Sequence, residues 1–330
     1  MIAEIESKYS NSTEPILNVK DLRVFYRTET GNPLRAVDGV SFQVFKSEIL
    51  GIVGESGCGK STLSTGIINL VDPPGYIQSG EVIFRGENIL ELDEEGLRQL
   101  YLSRLIYIPQ SGMNALNPVM KIKDQIVDGI RSHQEELKKQ AAQKATELLK
   151  LVGLPPEAAN MYPHELSGGM KQRSTISIAL ALKPELIIAD EPTTALDVVV
   201  QRAVLEFLVG FKEKFGSSII IITHDIAVQA QVCDRLAVMY AGKIVEIGEI
   251  KEIFRNPMHP YTKALIDATP SLLDKKELVG LTGRPPSLIN VPIGCRFASR
   301  CPCSMNICTE KEPNLLRFDS GHKVACHLHQ

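Results

Sequence analysis

The chain has 330 residues, of which 44% are hydrophobic and 23% charged, and its formal net charge is −3 at pH 7. This length suits about two domains of roughly 150 residues each. The small charge excludes the strong basic field of most nucleic-acid-binding domains, so we expect no nucleic-acid partner. Segment 1–14 is polar and acidic without signal-peptide features, and no apolar run approaches the ~20 residues of a membrane helix. We therefore expect any membrane contact to be made through a partner.

Apolar patterning predicts strands on either side of a glycine-rich loop in the first 90 residues. The expected strands are 17–26, 36–44, 49–53 and 80–84, with a helix at 61–70 directly after the loop. From about 90 to 160, charged and apolar residues recur at helical spacing, which predicts a helical insertion. Strands follow at 186–189, 219–222, 235–240 and 243–247, the last two joined as a hairpin by the turn Ala241-Gly242. Frequent prolines after residue 256 predict a separate C-terminal appendage.

The glycine-rich loop fits the phosphate-binding pattern G-x-x-x-x-G-K-[ST] over residues 54–61. It follows a predicted strand and precedes a predicted helix, which is the context that the pattern requires. Its glycines allow backbone N–H groups to surround phosphates, and the helix N-terminus adds partial positive charge. Lys60 is expected to bridge the β- and γ-phosphates of ATP, and the Ser61 hydroxyl to bind Mg²⁺. The residues predicted to bind ATP in this segment are Gly54, Ser56, Gly57, Cys58, Gly59, Lys60, Ser61 and Thr62.

A second candidate feature is a strand that ends in two acids. Residues 186–189 are apolar and are followed by Asp190 and Glu191. A buried strand would deliver the Asp190 carboxylate to the phosphate site, where it would hold Mg²⁺ through water. Glu191 is placed to polarise the attacking water as a general base. Paired acids are also common at solvated strand ends, so this motif alone does not decide the chemistry.

The motif Leu166-Ser167-Gly168-Gly169-Met170 lies between the insertion and the acidic strand. With it, the chain resembles the ABC ATPase family over about residues 15 to 250, with all motifs in the family's order. The family's signature is usually LSGGQ, so Met170 departs from it, whereas the glycines and a helix N-terminus keep an anion site. In the family this motif acts on the ATP of a partner subunit. The resemblance therefore implies a dimer that closes on two ATP molecules.

The resemblance also implies roles for single positions. Gln110 matches the glutamine that senses Mg²⁺ and the membrane partner, and His224 resembles the switch histidine that contacts the γ-phosphate. Asp197 ends the D-loop-like segment 194–197, which would cross the dimer interface. The implied catalytic residues are Glu191, His224 and Gln110, and the implied Mg²⁺ ligands are Ser61, Gln110 and Asp190.

An aromatic side chain is expected to stack on the adenine. Tyr26 lies where the family keeps that aromatic, and such stacking is worth ~1–3 kcal/mol. The neighbouring Phe25 would point to the opposite face of the strand, so Tyr26 is favoured. The resemblance adds Val37 to the ATP-binding residues.

Five of the seven cysteines lie near the C-terminus, at positions 295, 301, 303, 308 and 326. In a chain without an expected export signal, such clustering favours a metal site over disulfides. Segments 259–265, 294–297 and 300–302 resemble the C-terminal extension of oligopeptide and dipeptide importer ATPases, which nickel importers share.

This second resemblance implies a [4Fe–4S] cluster, with Cys303 outside the ligand pattern. The implied ligands are Cys295, Cys301, Cys308 and Cys326. Their spacing is wider than the C-x₂₋₄-C pairs of structural zinc sites, although thiolates suit both iron–sulfur clusters and Zn²⁺. A mixed Cys/His zinc site remains an alternative, and disulfides are a third. The histidines that could take part in it are His322, His327 and His329.

We therefore predict an α/β fold: a P-loop NTPase ABC cassette with a parallel-sheet core, an antiparallel β subdomain and a helical subdomain, plus a small cysteine-rich C-terminal domain. The expected boundaries are 1–14 for an N-terminal tail, 15–88 with 161–255 for the ATPase core, 89–160 for the helical subdomain and 256–330 for the extension.

The leading functional hypothesis is the ATP-hydrolysing motor of a di- or oligopeptide importer, held at the cytoplasmic face of the membrane. Its expected partners are a second ATPase subunit, two transmembrane permease subunits and, indirectly, an extracellular substrate-binding protein. The alternatives are a soluble ABC ATPase acting on DNA or ribosomes, and a nickel importer motor of the same subfamily.

Overall fold

The computed structural model describes residues 14–29, 31–101, 103–110, 112–133, 138–193, 196–269, 283–318 and 321–330, and only the backbone of 113, 114, 133 and 138. All of the expected tail 1–14 except Glu14 lies outside these residues, as do Thr194 and Ala195 of the expected D-loop. The chain forms two compact units, one made of the residues up to Glu91 with Ile222–Gln330 and the other of Leu92–Ile221.

Twelve strands and ten α-helices lie within the described ranges. The strands are β1 (Pro15–Tyr26), β2 (Leu34–Phe45), β3 (Ile49–Val53), β4 (Gly75–Phe84), β5 (Glu87–Asn88), β6 (Leu105–Ile108), β7 (Leu186–Asp190), β8 (Ser218–Ile222), β9 (Arg235–Tyr240), β10 (Lys243–Glu249), β11 (Leu316–Arg317) and β12 (Lys323–Val324). The helices are α1 (Lys60–Ile67), α2 (Glu94–Leu100), α3 (Ile122–His133), α4 (Lys138–Leu151), α5 (Gly168–Ala179), α6 (Val198–Phe215), α7 (Ile226–Val232), α8 (Ile250–Arg255), α9 (Pro260–Asp267) and α10 (Asn306–Glu310).

The first unit contains an antiparallel sheet built on β1, in the order β2-β1-β4-β5. β1 and β2 alternate buried apolar and more exposed residues, as strands with one face on a core do. The predicted strands at 17–26 and 36–44 are confirmed and begin two residues earlier than expected. The predicted antiparallel β layer is thus present.

A second set of strands in this unit runs in the order β11-β12-β10-β9-β3. β3 and β9 pair in parallel, and all five residues of β3 are buried, as expected for a central strand. β9 and β10 form the predicted hairpin. Its turn residues Ala241 and Gly242 both have positive φ, 46° and 85°, which matches the right-handed twist of the flanking strands.

The second unit joins strands to a helical layer. Its strands lie in the order β8-β7-β6, with β6 and β7 parallel. The predicted helical insertion is confirmed by α3 and α4, whereas 105–108 forms strand β6 within the same stretch. Ile122, Ile126 and Ile130 of α3 recur four residues apart and enter one buried cluster with Ala141 and Ala145 of α4.

The C-terminal extension shares its core with the first unit. β12 pairs with β10, and Tyr261 and Phe297 pack against Tyr240 of β9, with ring centroids 4.5 and 5.2 Å from that tyrosine. All three rings are at most 1% exposed. The proline-rich appendage is therefore anchored to the sheet by an aromatic core. The boundary expected at residue 256 stays a prediction.

A buried polar network closes this core around His259, the residue that caps α9. Its Nδ1 accepts a hydrogen bond from the backbone N–H of Tyr261 at 3.0 Å. The buried carboxylate of Glu246 accepts the backbone N–H groups of Met258 and His259 at 2.8 and 2.9 Å and lies 2.7 Å from His322 Nε2. Burial lowers the pKa of His259 to about 4, although Glu246 acts in the opposite direction.

The stability of the protein should therefore depend on His259 below neutral pH. The unfolded chain protonates this histidine near pH 6.5 and the folded chain only near 4, so stability falls as pH drops through that window. His259→Asn retains a capping oxygen but does not titrate. Between pH 6.5 and 4, its unfolding free energy should therefore fall by about 1–3 kcal/mol less than that of the wild type. Denaturant titrations at several pH values measure this, with His164→Asn as the exposed control. Parallel pH curves for wild type and His259→Asn would contradict it.

Candidate active site

The phosphate loop between β3 and α1 lies against two strands. A Cβ atom at Gly54 would be 2.1 Å from the carbonyl oxygen of Met239, and one at Gly59 would be 2.0 Å from that of Ala36. Gly59 also has a φ of 105°, in the region that favours glycine. Only glycine fits at these two positions, so the sequence pattern follows from the close approach of the backbone.

Lys60 opens α1 with its ammonium group inside the loop. The side chain is 6% exposed, and Nζ donates hydrogen bonds to the carbonyl oxygens of Gly54 at 2.7 Å and Glu55 at 3.0 Å. Ser56, Gly57 and Ser61 are exposed around it. Burial raises the pKa of the Cys58 thiol, so it stays protonated at neutral pH. The loop thus combines the enclosed Lys60 ammonium with exposed backbone. An ammonium group and backbone N–H groups are the donors that bind a chain of phosphates.

The predicted adenine platform, Tyr26, is partly exposed. Tyr26 ends β1, and its hydroxyl lies 3.3 Å from Thr62 Oγ1, next to Ser61. Phe25 points the other way and is buried edge-on against Tyr76, with ring centroids 6.4 Å apart. Val37 is fully buried in β2. Unlike Phe25, Tyr26 is partly exposed, and its hydroxyl contacts Thr62 of α1.

The acidic pair stands at the end of β7 in the second unit. Asp190 is 1% exposed, and Tyr107 of β6 donates a hydrogen bond to its Oδ2 at 3.3 Å. Glu191 follows with a φ of 46°, an uncommon conformation for a residue with a side chain. Gln110 Nε2 donates to Glu191 Oε2 at 2.9 Å. The structure therefore brings together two of the three predicted catalytic residues.

The signature motif forms the start of α5. Ser167 is the exposed N-cap residue, and its Oγ accepts the backbone N–H of Met170 at 3.3 Å. Leu166 is buried in the helical core, and Met170 packs against that same core. Gly168 is exposed and Gly169 partly so. The unusual methionine thus serves packing, while the serine and glycines face outward.

Two further predicted residues lie at helix starts. Asp197 caps α6 by accepting the backbone N–H groups of Val199 and Val200 at 3.1 and 2.9 Å. His224 is exposed between β8 and α7, and the next residue, Asp225, caps α7 in the same way. A capping role explains Asp197 in the isolated chain and leaves its expected interface role a prediction.

Sequence reasoning missed Gln172, which supports the turn that carries Glu191. It lies in α5, is 2% exposed, and its Nε2 donates to the carbonyl oxygen of Pro192 at 2.9 Å. The signature helix therefore contacts the residue after Glu191. The signal in the sequence was a single amide side chain, Gln172, among residues on the buried side of the predicted signature helix. It lies five residues after Ser167.

The C-terminal cysteines affect one another electrostatically. Burial, and then the neighbouring thiols of Cys308, Cys326 and Cys301, raise the pKa of Cys295 to about 11. Burial likewise raises the pKa of Cys301 and Cys326, again with neighbouring cysteines adding to the effect. Yet in the part of the chain that the structure describes, no three His, Cys, Asp or Glu side chains are grouped so that they could hold a metal ion.

The three nearby histidines already have hydrogen-bond partners. Their Nε2 atoms lie 2.7 to 3.0 Å from protein oxygens: the Glu246 carboxylate for His322, the Lys311 carbonyl for His327 and the Met258 carbonyl for His329. Each bond occupies one of the two ring nitrogens, which is also the usual arrangement of a metal-bound histidine, so the mixed Cys/His zinc site stays an alternative.

Comparisons with known proteins agree with the arrangement of these motifs. A family model described as ABC transporter matches residues 37–194, and one described as oligopeptide/dipeptide transporter, C-terminal region, matches residues 245–308. The chain is 45% identical to the oligopeptide transport ATP-binding protein OppD of Bacillus subtilis, over 94% of this chain and 87% of that protein. The chain belongs to the ABC transporter ATP-binding subunits of the oligopeptide/dipeptide type.

Other relatives give the same picture for this peptide-transporter ATPase. It is 41% identical to the dipeptide transport ATP-binding protein DppD of Escherichia coli, over 94% of this chain and 96% of that protein. Among solved structures, a dimeric post-hydrolysis state of the ATP-binding cassette MJ0796 bound to ADP and Pi is similar, with a TM-score of 0.65 and 26% identity over 71% of this chain and 98% of that one. The ABC cassette fold is therefore confirmed. No helix within the described ranges has the length and apolar character needed to cross a membrane.

Replacing Glu191 should separate ATP binding from ATP hydrolysis. Glu191→Gln removes the carboxylate that is predicted to polarise the attacking water, so we expect turnover to fall by about 10²–10⁴-fold. Binding relies on Lys60 and the loop backbone and should be unchanged. Steady-state hydrolysis and equilibrium ATP binding measure the two effects, with Glu206→Gln on the exposed face of α6 as the control. Near-normal turnover of Glu191→Gln would show that another group is the base.

Proposed function

We propose that the chain is the ATP-hydrolysing subunit of an importer for dipeptides or oligopeptides, bound at the cytoplasmic face of the membrane to two permease subunits. The observation that carries the proposal is the match of residues 245–308 to the C-terminal region of such transporters, on a chain that also bears a full cassette. The relatives named for dipeptide and oligopeptide transport cover nearly its whole length. An indirect partner is an extracellular substrate-binding protein.

ATP is held, in this proposal, by the phosphate loop and Tyr26. The buried Lys60 ammonium, released from the carbonyl oxygens it now contacts, would bind the β- and γ-phosphates. Carboxylate, amide and hydroxyl oxygens are the ligands that Mg²⁺ prefers, so Asp190, Gln110 and Ser61 fit that ion, which would neutralise phosphate charge.

Hydrolysis depends on Glu191 and the groups that orient it. Its carboxylate accepts a proton from the attacking water, and the 2.9 Å hydrogen bond from Gln110 fixes the carboxylate's direction. His224, exposed after β8, contacts the γ-phosphate and senses its loss. Through the hydrogen bond between Gln110 and Glu191, a movement of the segment around Gln110, which would face the permease, would change the position of the base.

The active form is a dimer with a second ATPase subunit, identical or paralogous. Ser167 and Gly168 are exposed at the start of α5, where their N–H groups can reach a phosphate on another chain. Val198 and Val199, next to Asp197, are each 79% exposed, which is unusual for adjacent apolar residues on a monomer surface. A partner seated on this face would bury them.

Import by the assembled transporter tests the proposal. Purified with its own permease subunits in lipid vesicles, the complex should hydrolyse ATP faster when a peptide-loaded binding protein is added, because substrate closes the two motor subunits on ATP. Lys60→Ala should abolish this hydrolysis by removing the phosphate contact. Stimulation of ATP hydrolysis by Ni²⁺ alone would indicate that the chain is the motor of a nickel importer. Stimulation by DNA or ribosomes, without any peptide effect, would contradict an importer.

We also propose that Cys295, Cys301, Cys308 and Cys326 hold a [4Fe–4S] cluster. The four cysteines lie within one short stretch of the chain, and neighbouring cysteines add to the raised pKa of Cys295 and of Cys326; four thiolates would supply an all-sulfur donor set. A tetrahedral zinc site with bonds of about 2.3 Å needs sulfur atoms roughly 3.8 Å apart. The sequence spacing of these four cysteines is wider than that of structural zinc pairs, which favours the cluster. When bound, the cluster would supply a structural cross-link between cysteine-bearing loops.

Iron analysis and colour test this proposal. Protein purified without oxygen should be brown, with roughly four irons per chain. Cys301→Ser should lose the colour because it removes one thiolate corner, whereas Cys303→Ser, at the exposed neighbouring cysteine, should keep it. Colourless protein with one zinc per chain would contradict the cluster and leave the ATPase assignment intact.

A further inference from the structure

One residue of the phosphate loop is held by the C-terminal extension. Glu55 follows Gly54, and both oxygens of its carboxylate accept hydrogen bonds from the Arg300 guanidinium, each at 2.8 Å. The Arg300 side chain is 4% exposed and that of Glu55 is 23% exposed. A bidentate, largely buried pair of this type is stronger and more directional than a surface ion pair.

The backbone of Glu55 is held by the extension as well. Its N–H donates to the hydroxyl of Tyr261 at 2.9 Å, and Tyr261 is fully buried. Arg300 also donates to the hydroxyl of Tyr240 at 3.1 Å, which places the guanidinium against the aromatic core. The C-terminal extension therefore holds both the side chain and the backbone of Glu55.

A parallel contact ties the extension to β2. Arg296, 6% exposed, donates to the carbonyl oxygen of Ala241 and to the carboxylate of Asp38. Arg296 directly follows Cys295, and Arg300 directly precedes Cys301. The two arginines that reach the cassette are thus neighbours in sequence of two of the C-terminal cysteines.

We propose that the extension is a clamp on the phosphate loop, in which Arg300 and Tyr261 are positioning residues that set the affinity for ATP. Arg300 neutralises a carboxylate beside a loop that must accept anionic phosphates, and Tyr261 fixes the backbone of that loop. A change at Cys301 reaches the nucleotide through Arg300. This inference rests on the proposed ATPase function, since it concerns regulation of the same site.

The electrostatic part of the clamp makes a specific prediction for paired variants. Arg300→Ala leaves the Glu55 carboxylate unneutralised near the phosphates, so ATP should bind about tenfold more weakly. Glu55→Gln alone should have a small effect. The double variant should bind ATP more tightly than Arg300→Ala, because the uncompensated charge is gone. A purely structural role for Arg300 would give the double variant no recovery.

Equilibrium ATP binding to the full-length chain, with the melting temperature as a folding check, measures these effects. Arg300→Lys keeps the charge without the bidentate geometry and should lie between wild type and Arg300→Ala. Arg317→Ala, an exposed arginine of the same extension, is the matched control and should bind as wild type. If Arg300→Ala does not fold, Arg300→Lys still tests the pair. Unchanged affinity in Arg300→Lys and Arg300→Ala would overturn the clamp.

Coupling to the cysteines is tested in two backgrounds. Cys301→Ser should weaken ATP binding in the wild-type chain and add little to Arg300→Ala, since both act through the same contact. Equal effects in both backgrounds would overturn the coupling. Failure of the wild-type chain itself to bind ATP would instead refute the proposed function, so the two failures are distinguishable.

Discussion

The shape of the phosphate loop depends on its close packing against β9 and β2. Between the loop and these strands there is space for backbone atoms but not for side chains. Carbonyl oxygens of Met239 and Ala36 lie where side chains at Gly54 and Gly59 would have to be, so the loop is confined by β9 and β2 on opposite flanks. Within this confined loop the Lys60 ammonium is buried against the carbonyl oxygens of Gly54 and Glu55. This packing favours phosphate binding because the loop backbone is ordered before any ligand arrives, while Lys60 has to exchange the carbonyl oxygens of Gly54 and Glu55 for phosphate.

The turn that carries Glu191 is shaped by a different constraint. Its backbone is strained, and polar contacts hold it in that conformation. Glu191 adopts a positive φ that costs on the order of 1 kcal/mol or more for a residue with a side chain. Such a conformation persists only where neighbouring contacts fix it. Tyr107 on Asp190 and Gln172 on the Pro192 carbonyl are such contacts, one on each side of Glu191. Since Gln172 belongs to the signature helix, movement of that helix would change the support of the turn that carries Glu191.

The sequence was informative wherever the physics is local. Strand alternation, the loop glycines and the I′ turn at Ala241-Gly242 each depend on residues adjacent in the chain, and the structure has them within a few positions of where they were expected. Met170 could be recognised as a departure from the family, but not as a packing residue, because its neighbours come from other helices. The bond between Arg300 and Glu55 spans 245 positions, and no local pattern distinguishes it from the many other acid–base pairs in the chain.

The extension raises the question of what holds a proline-rich segment in place. A segment this short rarely builds its own core, and a metal or disulfide is the usual remedy. Here β12 adds to the sheet at β10, while Tyr261 and Phe297 complete an aromatic core on β9. The fold of the extension therefore does not depend on its cysteines alone. Packing holds the segment, so in the proposed clamp a change at the cysteines would reach the phosphate loop through Arg300 without unfolding the region that carries them.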